Sequence, residues 1–212
     1  MTNQPPVQLR RPWGRPFADF VLFGVTAAEL ALLCVLTPSF TLTDWIYVLS
    51  NLLVLVFALT RRAAQERDRS LATALAVIVS YTYTYAQVAY LRWATGNVAW
   101  PAGGLALVVT GACLSFTSLL TLGRRFGVRP ALRGLATRGP YRIVRHPLYL
   151  AYMLADVGYN LQEWNYGTLM LVAAGWASML YRIAAEERVL SADADWNAYT
   201  SRVRWRLIPF VW

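Results

Sequence analysis

The sequence predicts an all-α, polytopic transmembrane helical bundle, because long apolar runs alternate with short segments that carry almost all of the charge. Hydrophobic residues make up 57% of the 212 positions and charged residues only 15%, whereas a soluble domain has about 25% charged residues. The mean hydropathy of +0.39 also indicates an integral membrane protein. We therefore expect residues 1–212 to form a single integral membrane domain.

The apolar segments are candidates for membrane-crossing helices, because each approaches the roughly 20 residues that span about 30 Å of hydrocarbon. We expect about six crossings, at residues 17–36, 44–60, 71–91, 104–122, 147–162 and 166–183. A tail at 1–16 precedes a four-span region, 17–122, and residues 123–212 contain a helical hairpin and the C-terminal tail. The first arm of the hairpin is short, so whether it crosses fully stays open.

The distribution of arginine predicts the orientation of these helices. All 20 lysine or arginine positions hold arginine, and six crossings place every one except Arg92 on the side that holds both termini. Positive charge concentrates in cytoplasmic loops, so we expect both termini and the basic segment 123–146 to be cytoplasmic. Because the arginines lie in loops between apolar runs, they indicate membrane topology rather than nucleic-acid binding. We therefore expect no nucleic-acid partner.

The stretch T-R-G-P-Y-R-I-V-R-H-P-L-Y, residues 137–149, is the leading candidate for chemistry, and it contains the only histidine, His146. Arg182, Glu186 and Glu187 lie at the same end of the second hairpin arm, where Arg182 and Glu186 share a helix face. Such a set could hold a zwitterionic ligand, with carboxylate to arginine and ammonium to glutamate. Each residue alone could instead reflect topology, or Glu186 could simply pair with Arg182.

Polar residues at membrane depth are a second group of candidates. One face of the 147–162 segment is polar at three- and four-residue intervals, at Tyr149, Tyr152, Asp156 and Asn160. An acid at this depth indicates either a functional site or a hydrogen bond to a neighbouring helix. Both interpretations stay open for Asp156 and for Glu29. A tyrosine series in the third span either lines a cavity or anchors the membrane interface, and we favour anchoring, for Tyr81, Tyr83 and Tyr85.

Several common site motifs are absent from the sequence. It contains no G-x-G-x-x-G after a strand, no P-loop and no H-E-x-x-H. The single histidine and two cysteines in separate apolar runs, Cys34 and Cys113, do not suit a catalytic zinc site. We therefore expect no metal.

Two motifs in the C-terminal half resemble a known family of membrane enzymes. G-P-Y-R-x-V-R-H-P-x-Y, followed by a hairpin, R-x-x-x-E-E-x-x-L and a final proline, resembles the isoprenylcysteine carboxyl methyltransferases and the related phospholipid methyltransferases. The matching residues are Gly139 to Tyr149, Arg182 to Leu190 and Trp196 to Pro209. The resemblance implies S-adenosyl-L-methionine as cofactor, contacted by Leu135, Ala136, Tyr141, His146, Pro147, Leu148, Tyr149 and Glu186.

The resemblance also implies roles in methyl transfer. Glu186 would meet the amino group of the cofactor, and Arg182 would bind a substrate carboxylate and act in catalysis. A carboxylate acceptor needs no general base, whereas an amine acceptor would, with Asp156 or Glu187 as candidates. The implied partner is a lipophilic small molecule or a lipidated acceptor, which would enter the site from the membrane lipids. Its carboxylate would be methylated by in-line transfer.

Other functions remain possible on the sequence alone. R-H-P-x-Y with a terminal R-L-I-P-F is also similar to membrane sterol reductases, so an NADPH-dependent reductase is the main alternative. A phospholipid or amine N-methyltransferase and a non-enzymatic membrane protein are further ones. The short chain without an organelle signal favours a prokaryotic inner membrane, with the active site facing the cytoplasm.

Overall fold

The computed structural model describes residues 40–212 except 63–65, 69 and 95, with a few further helical positions between 24 and 35. The expected tail at 1–16, most of the first span and Glu29 lie outside the described residues. Within the described part, helices at Leu42–Thr60, Leu71–Leu91, Pro101–Arg125 and Tyr166–Leu190 are long and apolar enough to cross a membrane. An integral membrane helical protein is therefore confirmed.

The described chain forms α-helices joined by short connections. These are α1 (Leu42–Thr60), α2 (Leu71–Trp93), α3 (Pro101–Leu122), α4 (Pro147–Gln162), α5 (Tyr166–Leu190) and α6 (Trp196–Arg202). Single 3-10 turns occupy Gly123–Arg125 and Gly139–Arg142. A two-residue strand β1 (Glu66–Arg67) pairs antiparallel with β2 (Ala131–Leu132).

The helix bounds follow local signals in the sequence. Thr41 and Asp44 form a capping box at the start of α1, Asn165 and Thr168 form one at the start of α5, and prolines open α3 and α4. Such caps contribute about 1 kcal/mol each. The structure extends α5 seven residues beyond the predicted end at residue 183, because its polar last turns remain helical as far as Leu190.

Two helix pairs make the most extensive contacts in the described bundle, α3 with α4 and α2 with α5. Small residues permit the first contact, since a Cβ added to Gly104 would lie 2.5 Å from the carbonyl oxygen of Gly158. In the second, Gly175 packs against the ring of Tyr83. Close approach through small residues is typical of membrane helices. With 16 residues, α4 is about 24 Å long, and six crossings stay a prediction.

The loops gather at two ends of the bundle. At one end, Asn97 and Trp164 exchange backbone hydrogen bonds of 2.6 and 2.9 Å, which joins the α2–α3 loop to the hairpin turn. At the other, the backbone of Arg62 bonds to Arg124 at 2.7 Å, and that of His146 bonds to Arg206 at 2.8 Å. We call this second end, which carries the 137–149 stretch, the motif end.

Candidate active site

Two neighbouring cavities lie in the described part of the structure. The motif-end cleft is bounded by the segment before α4, by the last turns of α5 and by α6. Its empty volume, which includes space open to solvent, is about 460 Å³. The bundle cavity lies among α1 to α5 and encloses about 1070 Å³ on the same measure.

The motif-end cleft brings together most of the residues that the resemblance implied for the cofactor. Its wall includes residues from the basic segment and one from α5, namely Leu135, Ala136, Tyr141, His146 and Glu186. The basic segment reaches this place because the 3-10 turn at Gly139–Arg142, in which Tyr141 is buried, is followed after four residues by α4. Residues 45 positions apart in the chain, such as Tyr141 and Glu186, thus line one cleft.

The other three implied cofactor residues open α4 and lie outside the lining of the cleft. Pro147, Leu148 and Tyr149 are all buried. Leu148 belongs to a hydrophobic cluster with Phe126, and Tyr149 belongs to a second cluster with Ile183. A direct contact between these three residues and a cofactor stays a prediction.

Glu186 presents its carboxylate to the cleft. The hydroxyl of Tyr149 donates a hydrogen bond to Oε2 of Glu186 at 3.1 Å. In the part of the chain that the structure describes, no other hydrogen bond reaches this carboxylate. Glu186 therefore retains acceptor capacity for a ligand in the cleft.

Glu187, the next residue, has a different environment. Its Oε1 lies 3.0 Å from Nη1 of Arg145 and 3.2 Å from Nε2 of His146, and its Oε2 lies 2.9 Å from Nε of Arg206. The Glu187 side chain is only 11% exposed. It therefore connects α5, the motif stretch and the C-terminal segment, and a role as catalytic base stays a prediction.

Arg182 lies one helical turn before Glu186 but faces the bundle cavity. Its Nη1 donates to Oγ of Ser80 at 2.6 Å, and its Nη2 donates to the carbonyl oxygen of Val128 at 2.9 Å. The guanidinium carbon lies 5.4 Å from the ring centre of Tyr81 and 5.3 Å from that of Tyr149, a cation–π distance. The two predicted ligands on α5 thus face different cavities, with Tyr149 between them.

Comparison with known proteins supports the motif resemblance. Residues 104–192 match the model described as "Isoprenylcysteine carboxyl methyltransferase (ICMT) family". This segment belongs to that family. The predicted resemblance is confirmed, and the methyltransferase-family segment includes α3, α4, α5 and the motif stretch between them.

Two plant proteins are similar to the chain. Protein-S-isoprenylcysteine O-methyltransferase B of Arabidopsis thaliana is 29% identical over 116 residues, which cover 51% of this chain and 58% of that protein. Protein-S-isoprenylcysteine O-methyltransferase A of the same plant is 28% identical over 94 residues, covering 42% and 48%. The chain thus spans about half the length of the curated relatives that it matches. The prokaryotic membrane stays a prediction.

The cleft extends beyond the methyltransferase-family segment, because Trp196 and Tyr199 of α6 also line it. The hydroxyl of Tyr199 donates to the carbonyl oxygen of Tyr141 at 2.9 Å. Burial raises the pKa of both phenols above the usual range, so both stay neutral near pH 7. The sequence alone does not assign Trp196 and Tyr199 to the site, because an aromatic pair three residues apart usually indicates packing.

Asp156 of the methyltransferase-family segment lines the bundle cavity, away from the cleft. Its Oδ2 accepts hydrogen bonds from the Tyr83 hydroxyl at 2.6 Å and from Nε1 of Trp176 at 2.8 Å. Of the two interpretations left open for Asp156, the structure contains the hydrogen bonds to neighbouring helices, and the position of Asp156 in the cavity leaves a functional role open. Because Tyr81 and Tyr83 line the same cavity, their interpretation as interface anchors is wrong.

Proposed function

We propose that this protein is an integral membrane methyltransferase that uses S-adenosyl-L-methionine to methylate a carboxylate on a lipophilic acceptor. One observation carries this proposal: Glu186 and Arg182, one turn apart on α5, face two adjacent cavities. The cleft outside the bundle suits a polar cofactor, and the cavity inside it suits a membrane-borne acceptor. An isoprenylcysteine-like acid is the starting candidate, after the names of the plant relatives.

The residues of the motif-end cleft fit the cofactor. Glu186 offers a carboxylate for the ammonium group of the cofactor. Two arginines of the lining, Arg125 and Arg145, complement the carboxylate of the cofactor. Trp196 and Leu135 provide aromatic and apolar surface for the adenine ring. When bound, S-adenosyl-L-methionine supplies an electrophilic methyl group. The protein then has to orient the reactants and exclude water.

Arg182 is the proposed partner of the acceptor carboxylate. It is buried, with 6% of its surface exposed, and its Nε has no hydrogen-bond partner among the described residues. A carboxylate acceptor needs no general base, which agrees with the engagement of Glu187 by three basic side chains. For an amine acceptor, Asp156 and Glu187 stay the predicted bases.

Calorimetry on the detergent-purified protein tests the proposal. S-adenosylhomocysteine and NADPH are titrated separately into the same preparation. We expect binding of S-adenosylhomocysteine alone. Binding of NADPH alone would overturn the proposal in favour of the reductase alternative, and binding of neither would remove the enzyme hypothesis.

A further inference from the structure

The C-terminal segment, residues 203–212, follows α6 and lies outside every predicted crossing and outside the methyltransferase-family segment. It ends in a compact apolar turn at residues 207–212, where three backbone N–H groups donate to the backbone oxygen of Trp212. Contiguous exposed apolar side chains indicate a surface that contacts a partner. The most exposed side chains of this turn are Ile208 (48%), Phe210 (86%) and Val211 (73%).

The C-terminal segment runs back along α5 toward the middle of the bundle. The cluster that contains Val203 packs against Leu190, the last residue of α5. Four residues later, Leu207 belongs to a cluster with Ile183. From Leu190 to Ile183 these contacts move seven residues back along the helix, a rise of about 10 Å. The segment therefore leads from the end of α5 into the membrane-spanning part of the protein.

The level that Leu207 reaches is close to the edge of the hydrocarbon core. With 25 residues, α5 is about 37 Å long, which exceeds the roughly 30 Å of the core. Its polar last turns, with Glu186 and Glu187, therefore extend beyond the core, whereas Ile183 lies at the predicted end of the crossing. The apolar side chains that follow Leu207 are thus exposed at a depth where lipid acyl chains begin.

The charge of the segment changes with this depth. Arg202 and Arg204 precede the apolar turn and are exposed, whereas no charged residue follows Arg206. Neither Arg202 nor Arg204 forms an ion pair among the residues that the structure describes. Exposed arginines beside an apolar surface with aromatic side chains are typical of the membrane interface. An anionic lipid headgroup provides the charge that complements these guanidinium groups.

We propose that residues 202–212 bind the anionic phospholipids of the leaflet at the motif end. Phe210 and Val211 insert among the acyl chains. Arg202 and Arg204 contact the phosphate groups. This lipid-binding surface is separate from both cavities, whose linings include no residue of 202–212, so it does not depend on the proposed function.

Quenching of a fluorophore tests the insertion. Phe210→Cys is labelled with the fluorophore NBD in the full chain, with Cys34 and Cys113 replaced by serine, and is reconstituted into vesicles. We expect a lipid with a nitroxide on its acyl chain to quench the emission and aqueous iodide to leave it nearly unchanged. Ala192→Cys, an exposed site just beyond α5, is the control and should show the opposite pattern. Quenching of Phe210→Cys by iodide alone would overturn the proposal, and quenching by neither agent would overturn it in favour of a protein partner.

The same probe measures the headgroup preference. Nitroxide-labelled phosphatidylserine and phosphatidylcholine with identical acyl chains are compared at equal mole fraction. We expect phosphatidylserine to quench at least about twofold more strongly, because each arginine near the surface attracts anionic lipid. The excess should be lost in the double variant Arg202→Gln/Arg204→Gln and retained in the control Arg188→Gln, an exposed arginine on α5. Equal quenching by the two lipids with both arginines in place would overturn the proposal, even if the double variant does not fold.

Discussion

The hydroxyl of Tyr149 donates to Oε2 of Glu186 across 3.1 Å, so a residue of α4 holds the carboxylate that faces the cleft. The ring of the same tyrosine lies 5.3 Å from the guanidinium carbon of Arg182, which lines the bundle cavity. The Tyr149 side chain therefore contacts one lining residue of each cavity.

Tyr149→Phe tests whether this hydrogen bond positions Glu186. The ring and its contact with Arg182 remain, and only the hydroxyl is lost. We expect S-adenosylhomocysteine to bind several-fold more weakly by calorimetry, because a bond to a charged group contributes about 1.5–3 kcal/mol and water replaces part of it. Unchanged affinity would mean that Glu186 is positioned without Tyr149.

Glu186→Ala should weaken S-adenosylhomocysteine binding at least about tenfold, because it removes the proposed partner of the ammonium group. Calorimetry measures the effect, and Glu163→Ala is the control. Glu163 is an acid at the opposite end of α4, where it forms the C-cap, and its loss should leave the affinity unchanged. Wild-type affinity in Glu186→Ala would show that the cofactor site was assigned wrongly.

Arg182→Ala should retain S-adenosylhomocysteine binding within about twofold. It should reduce methyl transfer to N-acetyl-S-farnesylcysteine by about a hundredfold, because the acceptor would lose one buried charge-assisted contact. Arg182→Lys keeps a charge and should recover part of the rate. Arg188→Ala, an exposed arginine on the same helix, is the control. Equal loss of binding and rate in Arg182→Ala would place Arg182 in the cofactor site.

Glu187→Gln should lower stability more than it lowers cofactor affinity. It leaves Arg145, His146 and Arg206 without their shared carboxylate, and we expect a loss of about 2 kcal/mol in the free energy of unfolding. Thermal unfolding in detergent measures this. If stability stayed at the wild-type value while transfer to an amine acceptor disappeared, Glu187 would be the catalytic base instead.

Labelling of a cysteine at Asn97 tests the predicted orientation. Asn97 pairs with Trp164 at the end opposite the motif end, so a membrane-impermeant maleimide should label Asn97→Cys from outside intact cells. Serine replaces Cys113, which is free and exposed, and also Cys34. Labelling that requires cell lysis would place the motif end outside.

Five of the eight residues predicted to contact the cofactor line one cleft, because most of them lie close together in the chain. Tyr141 and His146 are five residues apart, and the hairpin necessarily returns Glu186 to the start of α4. Local chemistry of this kind follows from chain connectivity. The predicted helices after residue 40 were confirmed for the same reason, since apolar length and capping residues act locally.

The division of the site into two cavities could not be predicted in the same way. Spacing places Arg182 and Glu186 on one helix face, yet their directions depend on which side chains of other helices lie between them. Ser80 attracts the guanidinium from 102 positions away in the chain, and Arg206 bonds to Glu187 from the C-terminal segment. Contacts over such separations leave no periodic signal.

The pairing of α3 with α4 and of α2 with α5 has a mechanical consequence. Each pair is closely packed, because glycine allows short backbone or ring contacts, whereas the bundle cavity occupies the region between the pairs. A lipid-like molecule would therefore pass between the two pairs, along a seam where the helices meet through side chains alone. The bulk of the side chains along that seam would then select molecules by width, separately from the charges that hold them inside.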